Sequence, residues 1–194
     1  MFIEPHITSE KRGWIEVICG PMFSGKTEEL IRRVRRAEYA NKSFKIFKPQ
    51  TDTRYHEKRV TSHNQNALDS IPLPNAAAII QHTSDVEVIG IDEAQFFDEA
   101  VVGIANELAA DGKRVIAAGL DMDFKGLPFG CMPSLMATAE YVTKLHAICM
   151  RCGDTATHSF RKVADEQQLL LGERDHYEAR CRKCFTHGVK NLNL

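Results

Sequence analysis

One stretch constrains this chain more than any other: Gly20-Pro-Met-Phe-Ser-Gly-Lys-Thr27, which fits the pattern G-x-x-x-x-G-K-[ST]. The run before it, Trp14 to Cys19 (WIEVIC), reads as a short buried strand that feeds the turn at Gly20. After it, from Thr27 to about Asn41, Leu30, Ile31, Val34 and Ala37 recur at helical spacing. A glycine-rich turn between a strand and a helix is the context in which this motif cradles phosphates. Gly25 lets the backbone curl so that successive N–H groups face the anion, and the helix starting near Lys26 adds the positive end of its dipole. Lys26 then reaches the β and γ oxygens of a triphosphate, and Thr27 offers its hydroxyl to Mg²⁺. Gly20, Pro21, Met22, Phe23, Ser24, Gly25, Lys26 and Thr27 are all assigned to the phosphate site. Arg32, Arg33, Arg35 and Arg36 fill the remaining helix positions and read as a solvated or subunit-facing surface, with phosphate guiding as the alternative.

Strands and helices alternate beyond this point. Ser43 to Lys48, Val86 to Ile91 and Arg114 to Ala118 read as strands, and Glu99 to Ala110 as a helix. The polar stretch from Pro49 to Asn66 reads as a loop. Such alternation implies a parallel α/β sheet with right-handed crossovers.

A phosphate loop needs a carboxylate at the end of a neighbouring strand to hold its metal. Ile89-Gly-Ile-Asp-Glu93 ends an apolar strand in two adjacent acids that can point in different directions. Asp92 is assigned to the Mg²⁺ shell and Glu93 to the general base, with simple capping of the following helix as the alternative. At this stage the residues specify an ATPase or a kinase without choosing. H-R-D and D-F-G are absent, which excludes protein kinases.

After Leu145 the β/α rhythm gives way to cysteine pairs and short apolar runs. Cys149-Met-Arg-Cys152 and Cys181-Arg-Lys-Cys184 are two C-x-x-C knuckles. Four thiolates in two such pairs suit tetrahedral Zn²⁺ and leave no open position for water, so the site is structural. Redox chemistry and nucleic-acid binding by the knuckles are the alternatives. The stretch between the pairs reads as an excursion clamped at its base, with Glu166 to Gly172 as its apolar centre. His158 and His187 lie near the knuckles but are not needed as ligands. Cys19 and Cys131 read as small buried hydrophobes. The expected division is a phosphate-binding α/β domain over 1–145 and a zinc module over 146–194.

The 194 residues hold 25 Lys plus Arg against 26 Asp plus Glu, so no global basic field holds a nucleic-acid backbone. No stretch approaches the roughly 18 uninterrupted apolar residues of a membrane span, and the N-terminus does not read as a secretory or transit signal. A soluble cytoplasmic protein with neither nucleic acid nor membrane as partner is the expectation.

The loop G-P-M-F-S-G-K-T, the strand end D-E-A-Q-F-F at Asp92 to Phe97 and the C-terminal cysteine module together resemble the cytosolic type II thymidine kinases. Asp52-Thr-Arg-Tyr55, Gly119-Leu-Asp121 and Pro128-Phe-Gly130 extend the likeness over nearly the whole chain. The resemblance implies a RecA-like phosphate-loop sheet flanked by helices, with a small zinc-binding lasso domain. It also implies transfer of the γ-phosphoryl of ATP to the 5′-hydroxyl of thymidine, with deoxyuridine as a further acceptor. Glu93 would be the base, with Arg54 or Arg161 near the transferring phosphate. Asp52, Asp92 and Gln95 would belong to the nucleotide and metal region. Phe96, Leu120, Phe124 and Phe129 would wall the thymine, and Tyr177 would close over it. Gln168, Leu169, Leu170, Leu171 and Gly172 would lay the lasso backbone along the base edge. A homotetramer inhibited by thymidine triphosphate is implied in the same way. In this picture the zinc supports specificity without touching the chemistry.

Overall fold

The computed structural model describes residues 12–50, 59–61, 67–163 and 176–192. Asp52, Arg54 and the stretch from Gln168 to Gly172 lie outside the described residues. Strand β1 (Trp14–Cys19) leads through the phosphate loop into α1 (Lys26–Tyr39) and then β2 (Phe44–Pro49). Three short strands follow: β3 (Arg59–Thr61), β4 (Ala67–Asp69) and β5 (Ile71–Leu73). A 3-10 helix at Ala76–His82 precedes β6 (Val88–Ile91), and a second at Ala94–Phe96 follows it. Then come α2 (Ala100–Ala110), β7 (Arg114–Gly119), α3 (Met132–Thr138) and β8 (Tyr141–Lys144).

Six strands form one sheet in the order β5-β2-β6-β7-β1-β8, and every pairing in it is parallel. This is the α/β sheet that the alternation of strand and helix patterns implies. Several elements go beyond the sequence reading, β4, β5 and α3 among them. The stretch read as a loop up to Asn66 contains β3, which pairs antiparallel with β4. The strand β8 was not anticipated, because its four residues alternate between half-buried and exposed at the sheet edge and include Thr143 and Lys144.

Side chains alternate across β1 and bury both faces of the sheet. Ile15, Val17 and Cys19 join α2 and α3 in one core cluster with Val101, Ile104, Leu108, Met132 and Leu135. Ile18 faces α1 and packs with Leu30, Ile31, Val34, Ala37, Ile46 and Ile116. The same face holds a buried ionic group. Glu16 and Arg33 are both 0% exposed, with Arg33 Nη1 donating to Glu16 Oε2 at 2.8 Å. Arg114 Nε donates to Glu16 Oε1 at 2.6 Å, and Trp14 Nε1 donates to the same oxygen at 2.7 Å. Arg33 also reaches Glu29 and Thr143. Arg33 is therefore neither a surface residue nor a phosphate guide; helical spacing places it beside Glu16, whose charge it neutralises. Arg32, by contrast, pairs with Glu29 at the surface.

Register sets the site. Cys19 of β1 lies opposite Gly119 of β7, and Ile91 of β6 lies opposite Ala117 of β7. The phosphate loop, the Asp92-Glu93 pair and Leu120 therefore leave one edge of the sheet side by side, at the carboxyl ends of three adjacent strands.

Beyond Leu145, β9 (Ala147–Ile148) pairs with β10 (Thr155–Ala156), and β11 (His158–Arg161) pairs with β12 (Tyr177–Arg180). Helix α4 (Arg182–Leu192) closes the described chain. No helix among the described residues is long and apolar enough to cross a membrane.

Candidate active site and metal centre

The loop from Gly20 to Thr27 has the backbone that its sequence requires. Gly25 stands at the N-cap of α1 with φ 82° and no side chain to satisfy the first-turn amides. Such amides are what a bound phosphate accepts from. Gly20 has φ 143°, and a Cβ there would collide with the carbonyl oxygen of Leu145. Phe23 also takes a positive φ of 64°, a region that side-chain-bearing residues avoid. Ser24 Oγ donates to the Pro21 carbonyl at 2.8 Å, and Lys26 Nζ donates to the same oxygen at 2.9 Å.

Across the sheet edge, Thr27 Oγ1 lies 3.4 and 3.3 Å from the two carboxylate oxygens of Asp92. A hydroxyl and a carboxylate this close can take adjacent positions around a small hard cation that prefers oxygen ligands. Asp92 is held in place through its N–H, which donates to the Phe47 carbonyl at 2.9 Å.

Glu93 turns away from this pair. Its backbone is left-handed, with φ 50° and ψ 41°, and its side chain makes no capping bond to the short helix that follows. Such backbone strain clusters at functional sites. Gln95 Nε2 donates to Glu93 Oε2 at 2.5 Å, and Gln95 Oε1 accepts the Leu120 N–H at 2.9 Å. Gln95 is 3% exposed and hemmed in: a Cβ on Gly119 would lie 2.6 Å from its Oε1, and a Cβ on Gly130 would strike its carbonyl oxygen. The adjacent acids thus serve two separate directions, one toward the phosphate loop and one toward β7.

The aromatic residues gather where β7 ends. Phe96 and Phe129 meet edge to face at 5.6 Å, and Leu120, Phe124, Phe129 and Tyr177 are buried. The face of Phe124 is covered by the Arg161 guanidinium at 3.6 Å. Arg161, 1% exposed, donates to the Tyr177 hydroxyl through Nε at 3.2 Å and Nη2 at 2.8 Å. Arg161 and Tyr177 therefore stand with the aromatic wall.

The cysteine knuckles converge. The sulfurs of Cys149, Cys152, Cys181 and Cys184 all lie within 4.8 Å of one another. Tetrahedral Zn²⁺ with bonds of about 2.3 Å separates its thiolates by about 3.8 Å, and Cys152 and Cys181 are 3.7 Å apart. Burial alone would push the Cys149 thiol up, yet backbone N–H groups from Cys181, Arg151 and Cys152 hold it at about 6. Its neighbour Cys184 is pushed up to about 12 by the thiols of Cys181 and Cys152. Four sulfurs crowded this way share negative charge only if a cation lies among them, so the set fits zinc. No histidine joins this cluster among the described residues. Cys19 and Cys131 are buried, and burial pushes their thiols up to about 11 and about 12, as expected for inert core residues.

Several contacts were invisible in the sequence. The Met22 N–H donates to Ser159 Oγ at 2.9 Å, joining the phosphate loop to β11. Phe23 packs against a cluster made by Ala147, Cys149, Ala156, Ala179 and Cys181. Lys144 Nζ lies 2.6 Å from Asp121 Oδ2. Asp121 sits in a quoted motif, but no local pattern pairs it with Lys144 or brings Ser159 to Met22.

The family model for thymidine kinase matches residues 13–185. A thymidine kinase of Bacteroides fragilis is 53% identical over 191 residues, covering 98% of this chain and 96% of its own. One from Porphyromonas gingivalis is 56% identical over 180 residues, with 93% and 88% covered. One from Rhodothermus sp. is 57% identical over 173 residues, with 89% and 81% covered. The chain belongs to the thymidine kinase family.

Proposed function

We infer that this chain catalyses the ATP-dependent phosphorylation of thymidine, giving thymidine monophosphate and ADP. The observation that carries this reading is the division of labour between adjacent acids. Asp92 faces Thr27 of the phosphate loop, while Glu93 is joined through Gln95 to the backbone of Leu120. One carboxylate thus serves the metal side and the other the acceptor side.

In the proposed mechanism, backbone N–H groups of the loop from Phe23 to Thr27 and the Lys26 ammonium hold the triphosphate. Thr27 and Asp92 would hold Mg²⁺, which when bound neutralises charge on the β and γ oxygens. Phe96, Leu120, Phe124 and Phe129 take the uncharged planar base by stacking and dehydration, with Arg161 and Tyr177 beside them. Glu93 accepts the proton of the 5′-hydroxyl as its oxygen bonds to the γ-phosphorus and the bond to the ADP oxygen breaks. Asp52, Arg54 and Gln168 to Gly172 are proposed to complete the phosphate and base contacts. The zinc module, proposed to begin near His146, would clamp the base-reading segment. Cytoplasmic location, a homotetramer and inhibition by thymidine triphosphate belong to the same proposal.

A screen of nucleosides with purified protein and Mg·ATP tests the reading. ADP should form in step with thymidine monophosphate. ATP turnover that ignores thymidine, or no nucleoside product at all, would overturn it.

A further inference from the structure

We propose that Phe23 and Ser159 form a latch through which the four-cysteine module sets the shape of the phosphate loop, making both positioning residues for ATP. The proposal rests on the reading of residues 20–27 as the ATP site. It begins from the backbone of Phe23. A residue with a Cβ persists at φ 64° only when its surroundings hold it there, because its side chain crowds the backbone.

The surroundings in question belong to the cysteine module. The Phe23 ring packs against the cluster containing Cys149 and Cys181, one residue from each knuckle. The preceding amide, Met22 N–H, is taken by Ser159 Oγ at 2.9 Å. Ser159 is 3% exposed and lies on β11, whose partner β12 runs directly into Cys181. At the foot of the loop, Gly20 lies against the Leu145 carbonyl, where β8 hands the chain on to β9. The loop is therefore gripped from outside at Gly20, Met22 and Phe23.

Two of these contacts fix consecutive residues, and that decides how the peptide plane between them is turned. Met22 is tied to Ser159 by its amide and the half-buried Phe23 ring packs against the cysteine cluster, so the next amides inherit their direction. A phosphate cradle works only when its amides converge before the ligand arrives. Zinc among the four sulfurs then stiffens the surface against which Phe23 leans. The metal acts on ATP affinity through packing, in addition to any support it gives the nucleoside side.

The test uses the full zinc-loaded chain and equilibrium binding of a non-hydrolysable ATP analogue. Ser159→Ala leaves the Met22 N–H without its partner and should weaken the analogue about tenfold. The KM for ATP should rise with it, while the KM for thymidine and the zinc content stay unchanged. Phe23→Ala should weaken the analogue similarly, and Phe23→Leu, which refills the apolar contact, should recover part of the loss. Removing zinc from the wild type should weaken the analogue, and the same treatment of Phe23→Ala should add little, because coupled contacts are not additive. Unchanged analogue affinity in Ser159→Ala and Phe23→Ala, or an equal effect of zinc removal in wild type and Phe23→Ala, overturns the latch. Thymidine-dependent turnover of the wild type, measured alongside, reports separately on the activity itself.

Discussion

Gln95 ties the carboxylate of Glu93 to the backbone of Leu120, donating to Glu93 Oε2 at 2.5 Å and accepting the Leu120 N–H at 2.9 Å. The proposed base is therefore held to the residue that follows β7, and its own left-handed backbone fixes the other end. Replacing Glu93 by Gln preserves size but removes the proton acceptor. Turnover should fall by about two orders of magnitude or more, while ATP affinity stays near the wild-type value. Parallel measurement of kcat and nucleotide binding checks this; near-normal turnover would remove Glu93 from the role.

The bond between Gln95 and Glu93 can be cut without touching the carboxylate. In Gln95→Ala the acid keeps its charge but loses its tether, and kcat should drop by about 10- to 100-fold. Gly119→Ala tests the same contact from outside, because its new methyl would lie 2.6 Å from Gln95 Oε1 and from Met132 Sδ. A kcat loss in both variants, with ATP affinity retained, is the expected outcome. If Gly119→Ala loses stability but keeps kcat, the side chain of Met132 has yielded and the tether is intact.

Local pattern carried much of the site. Gly20 to Thr27 and Ile89 to Glu93 each state a chemical requirement within a few residues, and parallel strand register then brings them to one edge. The cysteine pairs were legible for the same reason, since each knuckle is local and tetrahedral coordination demands that the two meet. Arg33 was misread because helical periodicity assigns a face without saying what lies opposite. Glu16, an acid inside an apolar strand, was the signal that a buried cation must approach it. Ser159 left no signal, because its role depends on β11 passing beside the phosphate loop. Edge strand β8 has the opposite difficulty: four alternating residues with one open edge give too little apolar pattern to distinguish strand from loop.

The two neighbouring arginines of α1 should behave very differently. Arg33 is wholly buried against Glu16, whereas the Arg32 side chain is 48% exposed beside Glu29. Arg33→Ala leaves a carboxylate in the core with fewer donors and should cost about 3–5 kcal/mol. That corresponds to a fall in Tm of roughly 10 °C for a chain of this size. Arg32→Ala should cost at most about 1 kcal/mol, the range of an exposed pair. Thermal unfolding of both variants decides the matter, and equal costs would mean that the buried group is not what holds α1 to the sheet.

His158 should make the C-terminal module sensitive to acid. It is 4% exposed, stacks on Phe185 at 4.4 Å and meets Thr157 Oγ1 through Nδ1 at 2.9 Å. Burial, followed by the nearby Arg182 charge, lowers its pKa below the ordinary value near 6.5, with Asp121 opposing and Lys144 adding to the shift. The sign follows from linkage. Above the unfolded pKa both states are neutral and the stabilisation is fully present. As pH falls, the unfolded chain takes up the proton first, so stability declines until the folded pKa is passed. His158→Phe keeps a ring against Phe185 and removes the proton. Between about pH 7.5 and 5.5 the wild type should therefore lose more Tm than the variant. Any acid-driven loss of metal is common to both proteins and cancels in the difference. Parallel curves would show that folded and unfolded chains take up this proton alike, so that its protonation is not linked to folding.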